Sequence, residues 1–136
     1  MGGMDKAVSL ALSASAETML TESHIGSLTT CRPDGSPHVA PVRFTWDRDA
    51  GLVRVMTVGT RAKARNILAD PHARASVCQL VGYRWVTLEG LATVSDEPDR
   101  LAEGVRRYAH RYRSFPPDLP GLVVIEIAVD RVLGQN

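Results

Sequence analysis

The chain has 136 residues, 44% hydrophobic and 23% charged, with a formal net charge of +1. This length suits one domain, 1–136, around one core. The composition excludes a disordered tail, and the near-neutral charge gives no chain-wide footprint for nucleic acid.

In chain order, "MGGMDKAVSLALSASAETML" sets an acidic residue ahead of a weakly apolar run, and Lys6 breaks the myristoylation pattern. It reads as neither a secretory leader nor a membrane span, so the expectation is a cytoplasmic protein with no membrane partner. Residues 13–22 predict a short helix capped by Ser13 or Ser15. Residues 25–31 are β-prone, "RPDGSP" is a turn, and residues 37–46 read as the second strand of a hairpin. Pro41 lies inside that strand, which puts it at an edge or a bulge.

Residues 52–58, "LVRVMTV", alternate as a third strand, and a short basic helix follows. Residues 73–80 and 84–94 predict two more antiparallel strands joined across "VGY". Residues 97–113 form a longer helix, with Asp96 as cap, Pro98 in the first turn, and Leu101, Val105, Tyr108 and Tyr112 as its buried stripe. "SFPPDLPG" is a rigid loop, and residues 122–129 supply a last strand. Strands do not alternate with crossover helices, and no G-x-G-x-x-G follows a strand, which argues against a parallel nucleotide-binding sheet. The pattern is mainly β (α+β): about six antiparallel strands in a small barrel with flanking helices. Cys31 and Cys78 sit in apolar, strand-like runs and read as buried, reduced thiols. The four histidines are too scattered to hold zinc, so no metal site is expected.

The short helix carries its charges against its dipole. Arg61, Lys63 and Arg65 crowd its start and Asp70 its end, although helices favour the opposite arrangement by about 0.3–1 kcal/mol per charge. With Thr60 as cap, Arg61 first and Lys63 third in the helix, free N–H groups and two cations would converge on one phosphate. Solvated surface charge also accounts for the pattern.

Thr57, Lys63, Asn66 and Ile67, in the pattern T-x5-K-x2-N-I, resemble the flavin-phosphate motif of the pyridoxamine 5'-phosphate oxidase-like split barrels. Ala62 stands where the oxidase has an arginine, with Arg61 one residue earlier as a substitute. "LTTCRPDGSPHVAPVRFTWD" is similar to the opening hairpin of the coenzyme F420 (deazaflavin) branch. "RWVTLEGLATV", "RYAHRYR", "VVIE" and "RVLG" resemble, in order and spacing, its F420-dependent biliverdin reductase type.

The resemblance implies a six-stranded antiparallel split β-barrel, a homodimer with the cofactor between subunits, and coenzyme F420 or alternatively FMN. It implies that His38, Val39, Ala40 and Pro41 line the ring and that Thr57, Arg61, Lys63 and Asn66 hold the phosphate region. Gln79 and Trp85 would touch the ring or its linker. Core or dimer packing also accounts for Trp85, and a plain edge strand accounts for Pro41. Arg113 would receive an anionic substrate, such as the propionates of a linear tetrapyrrole, or the cofactor's glutamate tail. The implied activity is hydride transfer from reduced F420 to a small unsaturated molecule, biliverdin leading. An FMN-dependent oxidoreductase and a non-catalytic flavin, F420 or haem binder are the alternatives. No residue is identified as catalytic; His110 is not aimed at any site by the helix pattern.

Overall fold

The run 37–46 is two strands with different partners. A computed structural model describes residues 11–134; the leader reading of residues 1–10 lies outside these. Helix α1 (Ala14–Thr21) precedes strands β1 (Gly26–Cys31), β2 (Pro37–Val42), β3 (Thr45–Asp47) and β4 (Leu52–Val58). Helix α2 (Ala62–Leu68), strands β5 (Arg74–Val81) and β6 (Arg84–Ser95), helix α3 (Pro98–Tyr112) and strand β7 (Leu122–Gly134) follow. The sheet order is β2-β1-β5-β6-β7-β4-β3, and the paired strands are antiparallel.

This order makes the barrel. β2 and β3 are the two outer edges of the seven-stranded sheet, yet only Arg43 and Phe44 separate them in the chain. Two linking residues span roughly 10 Å at most, so the sheet must roll until its edges nearly meet. Phe44 is buried in that link and joins Leu28, Val53, Val77, Leu88, Ile125 and Ile127 in the core. The expected count of six becomes seven because the link breaks one predicted strand in two.

β7 runs to Gly134, further than residues 122–129 suggest. Its register against β6 shifts between Glu89 and Gly90, with Gly90 facing Val129 and Glu89 facing Arg131. Asp130 is the extra residue of a bulge that bends the pair.

The helices follow the predicted places, with an expected cap at α1 and different ones at α2 and α3. Ser13 caps α1, its hydroxyl accepting from the Ala16 N–H at 3.0 Å. Thr60 does not cap α2. The Arg61 N–H bonds to the Val58 carbonyl at 3.0 Å, so a turn uses Thr60 one residue early. Arg61 becomes the cap residue, without a side-chain bond, and Lys63 is second in the helix. In α3, Glu97 is the cap residue in place of Asp96, and the Ser95 hydroxyl accepts the Glu97 N–H. The buried face of α3 is Gly104, Tyr108, Arg111 and Tyr112; Leu101 and Val105 are only half-buried. Cys31 is exposed and Cys78 half-buried, both free, because each points to the outer face of its strand. Among the described residues, no helix is long and apolar enough to cross a membrane.

Candidate cofactor groove

β4 ends at Val58, where the Gly59 N–H bonds to the Gly121 carbonyl and the chain turns into α2. That turn brings Thr57, Arg61 and Lys63 to a groove of about 260 Å³. Pro41 from the edge strand β2, Arg43 from the link, and Tyr108 from α3 also border it. Pro116, Pro117 and Leu119 of the rigid loop complete its apolar side. Its described lining therefore holds three cations and no carboxylate.

Lys63 is half-buried, and burial, followed by the charge of Arg61, lowers the pKa of its ammonium below the ordinary lysine value. An anion placed between the two would relieve both effects. The Arg43 guanidinium donates to the Tyr108 hydroxyl at 3.0 Å and lies 5.7 Å and 5.1 Å from the Tyr108 and Tyr112 ring centres. Sequence reading placed Arg43 in mid-strand and missed it. The available signal was a single cation between the apolar Val42 and Phe44.

The other expected site residues lie elsewhere. Val39 points to the outer face, while His38 and Ala40 are half-buried on the opposite side of β2. The His38 Nδ1 is buried with no hydrogen-bond partner. Asn66 donates to the Thr30 hydroxyl at 3.0 Å and lines a separate hollow with Arg32 and His72. Arg113 ends α3 in the left-handed region (φ 54°) and borders a third hollow with Trp46 and His110.

Gln79 and Trp85 cannot share one ligand face. Gln79 pairs across the strands with the buried Val86, and Trp85 with the exposed Leu80. Side chains alternate between faces along a strand, so Gln79 points into the barrel and Trp85 out of it. Inside, Gln79 donates to the Met19 carbonyl and accepts from Arg111.

The outer face that carries Trp85 exposes apolar side chains beside hydroxyl-bearing ones. A row of paired positions runs Pro41, Ser27, Cys78, Thr87, Leu133 across β2, β1, β5, β6 and β7. Val39 and Leu80 flank this row and are 62% and 66% exposed.

Comparison with known proteins agrees with this architecture. The family model described as "Pyridoxamine 5'-phosphate oxidase" matches residues 12–136. The chain belongs to the pyridoxamine 5'-phosphate oxidase family. Within that family, it is 45% identical over 124 residues to an F420H(2)-dependent biliverdin reductase of Mycobacterium tuberculosis (strain CDC 1551 / Oshkosh), covering 91% of this chain and 88% of that protein. A solved F420 Reductase superposes with a TM-score of 0.69 at 27% identity, covering 85% of this chain and 94% of its own. General Stress Protein 26 from Bacillus anthracis str. Sterne gives a TM-score of 0.60 at 20% identity, covering 97% and 92%. This last likeness concerns the fold alone.

Proposed function

We propose that this member of the oxidase family is an F420H2-dependent reductase acting on biliverdin. The observation that carries the reading is the groove at the β4–α2 turn, where Thr57, Arg61 and Lys63 meet without an acidic neighbour among the described lining residues. The 45% identity to a biliverdin reductase supports the same cofactor and substrate.

The residues present fit such a group. Lys63 and Arg61 supply charge-assisted bonds to a phosphate, and Thr57 adds a hydroxyl. Pro41 lies in β2, an edge strand with one unpaired side. Backbone groups of β2 are therefore open to a ring lying alongside. When bound, the reduced deazaflavin supplies a hydride, which with a proton saturates one double bond of the acceptor. The protein's part is to hold the phosphate, orient the ring and exclude water with the prolines of the 115–119 loop. No side chain is assigned as the proton donor. Asn66, Arg113 and the His38–Ala40 backbone remain proposed contacts that lie outside this groove. Trp85 belongs to the proposed subunit interface.

We further propose a homodimer whose second subunit completes the cofactor site. The groove, at about 260 Å³, is smaller than the roughly 300–1,000 Å³ of ordinary ligand pockets. The outer face beside Pro41, with its exposed apolar side chains, gives a second copy a surface to cover. A cytoplasmic location goes with this reading.

The experiment is to titrate purified protein with F420 and FMN in parallel. Reduced F420 and biliverdin are then added while the bilin absorbance is followed. Preferred binding of F420 with bilin turnover supports the proposal. A yellow protein that releases FMN on denaturation would favour the oxidase-like alternative, which the family description itself keeps in view. Bound F420 without turnover would remove biliverdin as the substrate.

A further inference from the structure

The groove holds one cation more than a phosphate tail requires, and the extra one is built on different elements. Arg61 is the cap residue of α2 and Lys63 lies in its first turn. Arg43 comes from the link between the two sheet edges and is held from below by α3. One nitrogen donates to Tyr108, and the guanidinium lies near two tyrosine rings that are themselves 5.2 Å apart. These contacts fix its plane without neutralising its charge. Among the described residues, no carboxylate pairs with Arg43.

The surroundings narrow what Arg43 can bind. The same groove is lined by Met56, Val58 and Leu122, so the occupant has an apolar body. Pro116 and Pro117 offer no N–H, so they cannot donate to an anion. A planar guanidinium with one edge tied off presents its remaining N–H groups as a fork, the geometry that matches a carboxylate.

We propose that Arg43 is a second anion subsite in this groove, taking a carboxylate of the substrate while Arg61 and Lys63 hold the cofactor phosphate. It rests on the reductase reading and adds a specificity determinant to it. Arg43 selects acceptors with an acid group on an apolar frame, and Tyr108 positions Arg43 through its hydroxyl.

The test compares biliverdin with its uncharged dimethyl ester, using the F420H2-loaded enzyme for turnover and the protein alone for equilibrium binding of each bilin. In Arg43→Gln, the preference for the diacid over the diester falls at least about tenfold, the loss expected for one charge-assisted contact. The change appears in KM and in bilin affinity while F420 affinity holds. Arg43→Lys recovers part of the preference. Tyr108→Phe, which keeps the arginine and loses only the orienting hydroxyl, gives a smaller shift and serves if Arg43→Gln folds poorly. An unchanged preference in a folded Arg43→Gln overturns the subsite, and so does a parallel loss for both bilins. A fall in F420 affinity moves Arg43 to the cofactor and also overturns it. Failure of the wild-type protein to bind F420 would strike the reductase reading instead, while the cofactor-free comparison of diacid with diester still decides Arg43.

Discussion

Arg111 donates to the Gln79 carboxamide oxygen at 2.6 Å, between side chains that are 8% and 0% exposed. The same guanidinium donates to the Glu22 and Phe44 carbonyls, and Gln79 donates onward to Met19. One arginine thus ties α3 and β5 to the end of α1 and to the link that closes the barrel. Arg111→Ala leaves the buried Gln79 carboxamide oxygen and the Glu22 carbonyl without their donor, and the Phe44 carbonyl with the Tyr112 hydroxyl alone. It is expected to cost about 3 kcal/mol of stability, read as a lower urea midpoint.

That contact also marks where sequence reading stops. Strand alternation and turn residues were legible: β4 falls on the predicted 52–58, and Gly35 takes its positive φ in the predicted turn. Thr57, Arg61 and Lys63, picked out by a charge pattern and a motif, do meet at one groove. Partner choice was not legible. Nothing in "PHVAPVRFTW" says that its two ends join opposite edges of the sheet. Arg111 reads as one more basic residue at a helix end, yet it is buried because three acceptors from distant segments converge on it. Gln79 and Trp85 looked like companions only until the hairpin register put them on opposite faces.

Lys63→Ala is expected to weaken binding of F420 by about 1.5–3 kcal/mol, roughly ten- to a hundredfold in Kd. Fluorescence titration reads it, and the unfolding midpoint should barely move because Lys63 has no acidic partner to abandon among the described residues. The affinity is also expected to fall as pH rises. The protonated ammonium is the form that binds, and burial and Arg61 lower its pKa from the ordinary 10.5. The loss should therefore begin below that pH. Unchanged affinity in the variant would remove the phosphate assignment.

Glu103 is expected to contribute to acid sensitivity. Hydrogen bonds from Arg106 and then Arg107 bring its pKa from 4.5 down to about 2. A carboxylate with a lowered folded pKa stabilises the fold above its unfolded value and loses that contribution as pH falls through the folded one. Wild type should therefore exceed Glu103→Gln in stability near neutrality, and the gap should close between pH 4.5 and about 2. Partial exposure of the side chain screens the effect, so the closing of the gap with pH is the quantity to measure.

Leu80→Glu is expected to convert the proposed dimer to monomer without unfolding it. Leu80 is exposed on the outer face, opposite Trp85. A carboxylate there costs nothing in the isolated subunit but must be desolvated, unpaired, in a covered apolar interface. Sedimentation of both proteins at matched concentration checks this. Weaker F420 binding in the monomeric variant would follow if the second subunit completes the site.

Gly90→Ala is expected to be the more damaging of two glycine substitutions. A Cβ on Gly90 would run into the Ala128 carbonyl oxygen and lie 2.6 Å from its carbon. Both atoms are backbone, held in the bulged β6–β7 pairing, so no rotamer change relieves the clash. The strands must part where the barrel bends, at a cost of about 3 kcal/mol or more. A Cβ on Gly104 would instead meet the Met56 sulfur at 2.5 Å. A thioether is flexible and can move aside, so Gly104→Ala should cost only about 1 kcal/mol. Met56 lines the groove, so the displaced side chain should show in ligand affinity more than in stability. Chemical unfolding of the two variants, beside titration with F420, separates the outcomes, and comparable stability in both would refute the backbone clash at the bulge.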